Sequence, residues 1–261
     1  MKVDVFEDGH GSAVLLIHST VAGNKQWRKL VEYLSPNYRV LAPNLFGYGT
    51  TPEWSKNRHQ TLIDQVDLLA DFFEQNESIS IVGHSFGGSV AMMAAKKYPA
   101  KIKKLILIEP NPFYLLKHHS DHDSYQEALN LRDIIKTNAY KETWGQAAEK
   151  FADYWNGSGT WKQMDGLRRE KFAEALKPNF HEFDCVINET TSLEEWRDIL
   201  PQNTHILFSK QTVNSIRKIV TIFEETMPNW IFHSYSEGTH MAPLTHPNIV
   251  NPIIHKILTE I

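Results

Sequence analysis

Cysteine is almost absent. Cys185 is the single one in 261 residues, so no disulfide can close within the chain. That composition fits a reducing compartment. No run of 18 apolar residues occurs, which excludes a membrane-spanning helix. The first eight residues lack a basic segment followed by an apolar one, and they read as a strand rather than a leader. No basic block stands out: 27 Lys and Arg face 31 Asp and Glu, for a net charge of -4. That balance argues against nucleic acid as a partner. Internal repeats and low-complexity segments are also missing. These absences predict a soluble, cytoplasmic protein that engages neither nucleic acid nor membrane. With 41% hydrophobic residues, the chain can build one large domain or a core with an inserted subdomain.

What is present is a βα alternation. Val3–Phe6 alternates like an edge strand. Residues 13–18 are a continuous apolar run ending in His18, as a strand covered on both faces should be. Asn24–Leu34 carries Trp27, Leu30, Val31 and Leu34 on one helical face. A strand over 38–42 stops at Pro43, and a loop with Gly47, Gly49 and Pro52 follows. Thr61–Glu74 is an amphipathic helix. Strands over 79–82 and 102–109 flank a small-residue helix. Together these predict an α/β fold with a doubly wound, mostly parallel sheet. Its reactive end is the C-terminal end of the strands, where His18, Ser85 and Glu109 stand.

Between residues 111 and 190 the strand pattern disappears. Helices are predicted over roughly 123–137, 141–155, 162–177 and 181–188, with Asn156-Gly157-Ser158-Gly159 as a break. Strands resume at 204–209 and 230–235, with helices over 215–226 and 246–259. The division is therefore a core of 1–111 and 191–261 with a helical cap of 112–190.

Gly83-His84-Ser85-Phe86-Gly87-Gly88 is the most informative stretch. It is G-x-S-x-G between an apolar strand and a helix, the setting of a nucleophile elbow. The glycines permit a turn tight enough to raise the serine hydroxyl above the sheet. A serine hydroxyl is a weak nucleophile and needs a base. Of 13 histidines, His240 is favoured, because it follows a strand and a glycine-containing loop and precedes the last helix.

With the elbow, the His18 loop and the segment Gly238-Thr239-His240-Met241-Ala242-Pro243-Leu244 in this order, the chain resembles the α/β-hydrolase superfamily along its whole length. The pattern is similar to the capped branch of haloalkane dehalogenases, epoxide hydrolases and meta-cleavage-product hydrolases. Trp27 fits that branch; Ser19 stands where it usually has glycine. Its dehalogenases and epoxide hydrolases use an aspartate nucleophile, so Ser85 points instead to esterases, lactonases, thioesterases and carbon–carbon bond hydrolases. The family commonly places its acid after the strand ending at Ser209, but the loop Lys210-Gln211-Thr212-Val213-Asn214-Ser215 has no carboxylate. A subset carries the acid at the end of the strand after the elbow, where Glu109 stands. The resemblance thus implies Ser85, His240 and Glu109 as a triad, with Asn214 or a water orienting His240 if Glu109 is merely solvated. An oxyanion hole needs two N–H donors. The elbow supplies Phe86, and the resemblance implies Thr20, with Ser19 or Val21 as substitutes.

The expected function is a serine hydrolase of a small or medium apolar or aromatic ester-like substrate, needing no cofactor or metal. Cap aromatics such as Phe151, Trp155 and Trp161 would supply a pocket. A carbon–carbon hydrolase of the meta-cleavage type needs cationic or polar groups for a substrate carboxylate; Arg168, Arg169 or Lys171 could serve, and a solvated helix face explains them equally. A non-catalytic binding protein on the same scaffold is the third reading. The run His118-His119-Ser120-Asp121-His122-Asp123 reads as a polar cap loop, since successive residues rarely converge on one ion. Cys185 reads as a packed, unreactive thiol.

Overall fold

The apolar runs form seven strands of one sheet in a computed structural model that describes residues 2–118 and 122–260. They are β1 (Val5–Asp8), β2 (Ser12–Ile17), β3 (Tyr38–Pro43), β4 (Ile79–His84), β5 (Ile102–Ile108), β6 (His205–Ser209) and β7 (Ile231–Tyr235). Their spatial order is β1-β3-β2-β4-β5-β6-β7. Only β1 runs antiparallel to its neighbour; every other pair is parallel.

The side-chain alternation of a strand explains why β2 reads as unbroken apolar sequence. Leu15 and Ile17 enter one core with Ile81, Leu105 and Leu107. Val14 and Leu16 enter the other with Val82, Ile106 and Ile108. Helices Leu62–Leu68, Phe86–Lys97 and Asn214–Thr226 cover the first face, and Arg28–Leu34 and Pro247–Thr259 the second.

The edge strand begins at Val5, not Val3, and all four of its residues are exposed. Asp4 is committed elsewhere: its carbonyl accepts from Asn44 N–H at 2.7 Å and its carboxylate from the Asn44 side chain at 2.9 Å. The helix expected over 61–74 is two, broken at Leu69 (φ -94°, ψ 6°).

Between β5 and β6 lie a 3-10 helix Phe113–His118 and helices His122–Tyr140, Trp144–Asn156, Thr160–Gln163, Gly166–Ala175, Asn179–Ile187 and Leu193–Ile199. The single helix expected over 162–177 is split. Asp165 caps the second piece, its carboxylate accepting from Arg168 N–H at 2.8 Å. Helix Leu193–Ile199 was not expected, although its capping box, Ser192 with Glu195, is written in the sequence. Residues 119–121 of the histidine-rich run lie outside the described residues; His118 and His122 belong to the flanking helices rather than to a loop. Among the described residues no helix is long and apolar enough to cross a membrane.

Candidate active site

β4 delivers Ser85 into a backbone conformation that few non-glycine residues adopt, φ 55° and ψ -119°. The glycines around it are sterically required. A Cβ on Gly83 would lie 2.4 Å from Gly87 O, and one on Gly87 2.3 Å from Ile17 O. Ser85 N–H donates to Ile108 O at 2.9 Å, so the elbow is locked to the end of β5.

Glu109 follows directly at that end, itself at φ 44°. Its carboxylate is fully buried and accepts three hydrogen bonds. Oε1 accepts from Ser209 N–H at 2.6 Å. Oε2 accepts from the Thr212 hydroxyl and from His240 Nδ1, each at 2.6 Å. A carboxylate only accepts, so Nδ1 carries the imidazole proton and Nε2 is left as the acceptor. The Ser85 hydroxyl donates to Nε2 at 2.9 Å. Ser85, His240 and Glu109, each singled out from sequence, thus form one continuous chain of hydrogen bonds. The substitute orienter, Asn214, is turned away; its Nδ2 donates to Ser124 Oγ at 2.8 Å.

Two histidines hold the frame. His84 Nε2 donates to His240 O at 2.9 Å and so positions the histidine loop. Burial and the nearby His240 push the His84 pKa well down, which keeps it neutral. His18 Nδ1 donates to Ser19 O at 2.8 Å, and its Nε2 accepts from Leu45 N–H at 3.0 Å. Complete burial lowers the His18 pKa to about 4. Ser19, unusual in place of glycine, donates its hydroxyl and its amide to Gln26 Oε1, at 2.6 and 3.1 Å.

The amides of the loop after His18 differ in their partners. Ser19 N–H is taken by Gln26, and Val21 N–H donates to the Tyr48 hydroxyl at 3.0 Å. Thr20 N–H, between them, has no acceptor among the described residues. Phe86 opens helix Phe86–Lys97, where N–H groups lack intrahelical partners.

Thr20 also uncovers what sequence reasoning missed. Its hydroxyl donates to Glu182 Oε2 at 2.5 Å, and Tyr48 OH donates to Glu182 Oε1 at 2.9 Å. Asn179 Nδ2 donates to Glu182 Oε2 at 3.1 Å. Burial raises the Glu182 pKa, and these three donors work against that rise. No local pattern announces Glu182; it sits among many acidic residues and acquires its role across 162 positions of sequence. The same holds for Thr212 and Ser209.

The cavity at Ser85 is about 10 Å³, room for roughly one water molecule. Phe151, Trp155, Phe183 and Val186 form its apolar wall; Thr20, Asn111, Asn179 and Glu182 are its polar residues. The Trp155 ring stacks on His240, with centroids 4.1 Å apart. A larger, outer cleft of about 510 Å³ is lined by Tyr48 with Phe46, Trp54, Lys171 and His181, none of which lines the Ser85 cavity. Arg168, Arg169 and Lys171 do not reach the Ser85 cavity. Helix Gly166–Ala175 has no buried residue: Arg169 donates to Trp161 O and Lys162 O, and Lys171 borders the outer cleft. Cys185 is buried, and burial pushes its thiol pKa well up. Among the described residues no group of three or more His, Cys, Asp or Glu is placed to hold a metal.

The family of the alpha/beta hydrolase fold matches residues 12–209. A pimeloyl-[acyl-carrier protein] methyl ester esterase of Legionella pneumophila is 25% identical over 263 residues, covering 95% of this chain and 96% of the relative. A thermophilic esterase from Thermogutta terrifontis superposes with a TM-score of 0.76 at 22% identity, over 98% of this chain and 92% of that one. A meta-cleavage product hydrolase, CumD, superposes with a TM-score of 0.71 at 20% identity, over 99% and 95%. At such identities the two structures bear on the fold alone.

Proposed function

The chain belongs to the α/β-hydrolase fold family, and on the geometry of Ser85, His240 and Glu109 we propose that it is a serine hydrolase of small or medium carboxylic esters. The single observation that carries this reading is the buried chain from Ser85 Oγ through both His240 nitrogens to Glu109, ending at an elbow serine. The similarity to ester hydrolases over nearly the full chain supports it. Residues 112–190 act as a cap in this reading. Trp155 over His240 and Glu182 at Thr20 support that role.

The steps follow from the donors and acceptors. Ser85 Oγ attacks the ester carbonyl carbon while its proton passes to His240 Nε2. Glu109 holds the imidazolium that forms. Phe86 and Thr20 amides donate to the oxyanion. The intermediate collapses, the leaving alkoxide takes the proton from Nε2, and an acyl group remains on Ser85. His240 then deprotonates a water, which attacks the acyl carbon. The acid product leaves, and Ser85 regains its proton.

The carbon–carbon reading has less support: among the described residues no cation lines the Ser85 cavity, and only polar groups such as Asn111 and Asn179 stand there to receive a substrate carboxylate. A fluorophosphonate decides between hydrolase and binding protein. We expect one adduct, on Ser85, and loss of ester hydrolysis by several orders of magnitude in a folded Ser85→Ala. No adduct and no hydrolysis of any ester would leave a binding protein.

A further inference from the structure

The wall facing Ser85 is more polar than an apolar acyl group requires. Asn179 is 4% exposed, and two contacts orient its amide: Nδ2 donates to Glu182 Oε2 at 3.1 Å and lies 3.4 Å from Thr20 Oγ1. That leaves Asn179 Oδ1 as a buried acceptor without a partner among the described residues. The Trp155 indole N–H is a buried donor in the same condition. Both residues line the cavity that holds Ser85. Buried polar groups are nearly always satisfied in folded proteins, so two orphans of opposite polarity at one cavity point to a ligand that satisfies them.

A hydroxyl is the group that both donates and accepts. An ether oxygen would match only the indole, and a methylene neither. Position follows from Thr20. Asn179 Nδ2 lies 3.4 Å from Thr20 Oγ1, and the Thr20 amide is the free donor beside Ser85. Asn179 therefore lies beside the residue proposed above to bind the carbonyl oxygen. Resting on the esterase reading above, we propose that the ester this site takes carries a free hydroxyl close to its scissile carbonyl, received by Asn179 Oδ1. Glu182 acts behind it as a positioning residue, since it dictates which end of the amide meets the substrate.

The test compares p-nitrophenyl esters of 2- and 3-hydroxybutyrate with their methoxy ethers and with plain butyrate. The methoxy ether keeps the inductive pull and removes the donor; butyrate is smaller than the hydroxy ester. Induction alone cannot lift the hydroxy ester above the methoxy ether, and small size alone cannot lift it above butyrate; loss of the advantage in Asn179→Leu ties the remainder to the Asn179 contact. We expect kcat/KM for one hydroxy ester to exceed both controls by about tenfold or more, the scale on which a buried polar group rejects an unmatched analogue. In Asn179→Leu that ratio should fall to within about twofold. The ratio is the readout, because absolute rates also change when the wall changes. Fluorophosphonate titration of Ser85 in each protein reports folding and nucleophile together. A wild-type ratio near one with Ser85 labelled overturns the hydroxyl and leaves the esterase reading standing. A high ratio that survives Asn179→Leu removes Asn179 from the role. The wild-type ratio needs no variant, so it decides even where Asn179→Leu does not fold. Absence of labelling and of all ester hydrolysis instead removes the reading on which this one rests.

Discussion

The Thr212 hydroxyl and His240 Nδ1 donate to the same oxygen of Glu109, Oε2, each at 2.6 Å. Thr212 lies in the loop where the carboxylate of this family more commonly sits. The loop has not abandoned the site: it holds, by a hydroxyl, the acid that another strand supplies. Ser209 N–H completes the cradle on Oε1.

Thr212→Val should therefore slow turnover without touching the reacting atoms. It removes one hydrogen bond to a buried charge, worth about 1.5–3 kcal/mol, so kcat should fall on the order of tenfold to a hundredfold. Steady-state kinetics on a nitrophenyl ester measure it. Thr212→Asp, an apparent restoration of the commoner family pattern, should do worse, since it sets a second carboxylate against Glu109. An active Thr212→Asp would mean that the acid can migrate to the loop.

Glu109→Gln keeps the shape and removes the charge. The amide cannot balance the imidazolium, and its NH₂ end can select the wrong tautomer of His240. We expect a folded protein with kcat reduced by roughly 10³–10⁴. Near-full activity would reduce the machinery to Ser85 and His240.

Thr20 separates side chain from amide. Thr20→Val keeps the N–H proposed to serve the oxyanion and deletes the hydroxyl bonded to Glu182. Turnover should drop less than roughly a hundredfold, the lower bound for loss of an oxyanion donor. A larger loss in a normally folded variant, read from kcat and circular dichroism, would place the hydroxyl itself in the reaction.

His18 makes stability depend on pH in a stated direction. Its folded pKa is lowered from 6.5 to about 4 by burial, so the unfolded chain binds the extra proton first as pH falls. The stabilisation is present above pH 6.5 and is lost between about 6.5 and 4. Through linkage this amounts to at most about 3 kcal/mol. Urea melts of wild type and His18→Asn across this range should converge as pH falls, since the variant has no such proton to take up. Parallel stability curves would show that His18 is not the titrating group.

Several features were legible because local chemistry dictates them. The elbow is readable because only glycine tolerates the approach of backbone oxygen at Gly83 and Gly87. The parallel sheet is readable because β2, covered on both faces, must be apolar without alternation. The absence of an acid in the 210–215 loop, together with a carboxylate ending β5, was enough to single out Glu109. Less was legible where pattern is weak. The exposed β1 has no buried face to set its start, so its expected position was off by two residues.

The sequence by itself determined the fold class and the order of the strands, which rest on the spacing of apolar residues, and it singled out three residues of the candidate site, Ser85 by the sterics of its glycines and His240 and Glu109 by their places at strand ends. Tertiary structure alone decided that Thr212 and Ser209 cradle Glu109, that Glu182 reaches Thr20 and Tyr48, and that the Asn179 carbonyl has no partner among the described residues. Those relations join groups 100 or more positions apart for Glu109–Ser209 and Thr20–Glu182. A carboxylate, a hydroxyl or an amide has no periodicity that would betray such a partner. Its role is set only when burial removes water and forces each donor and acceptor to find another in the protein.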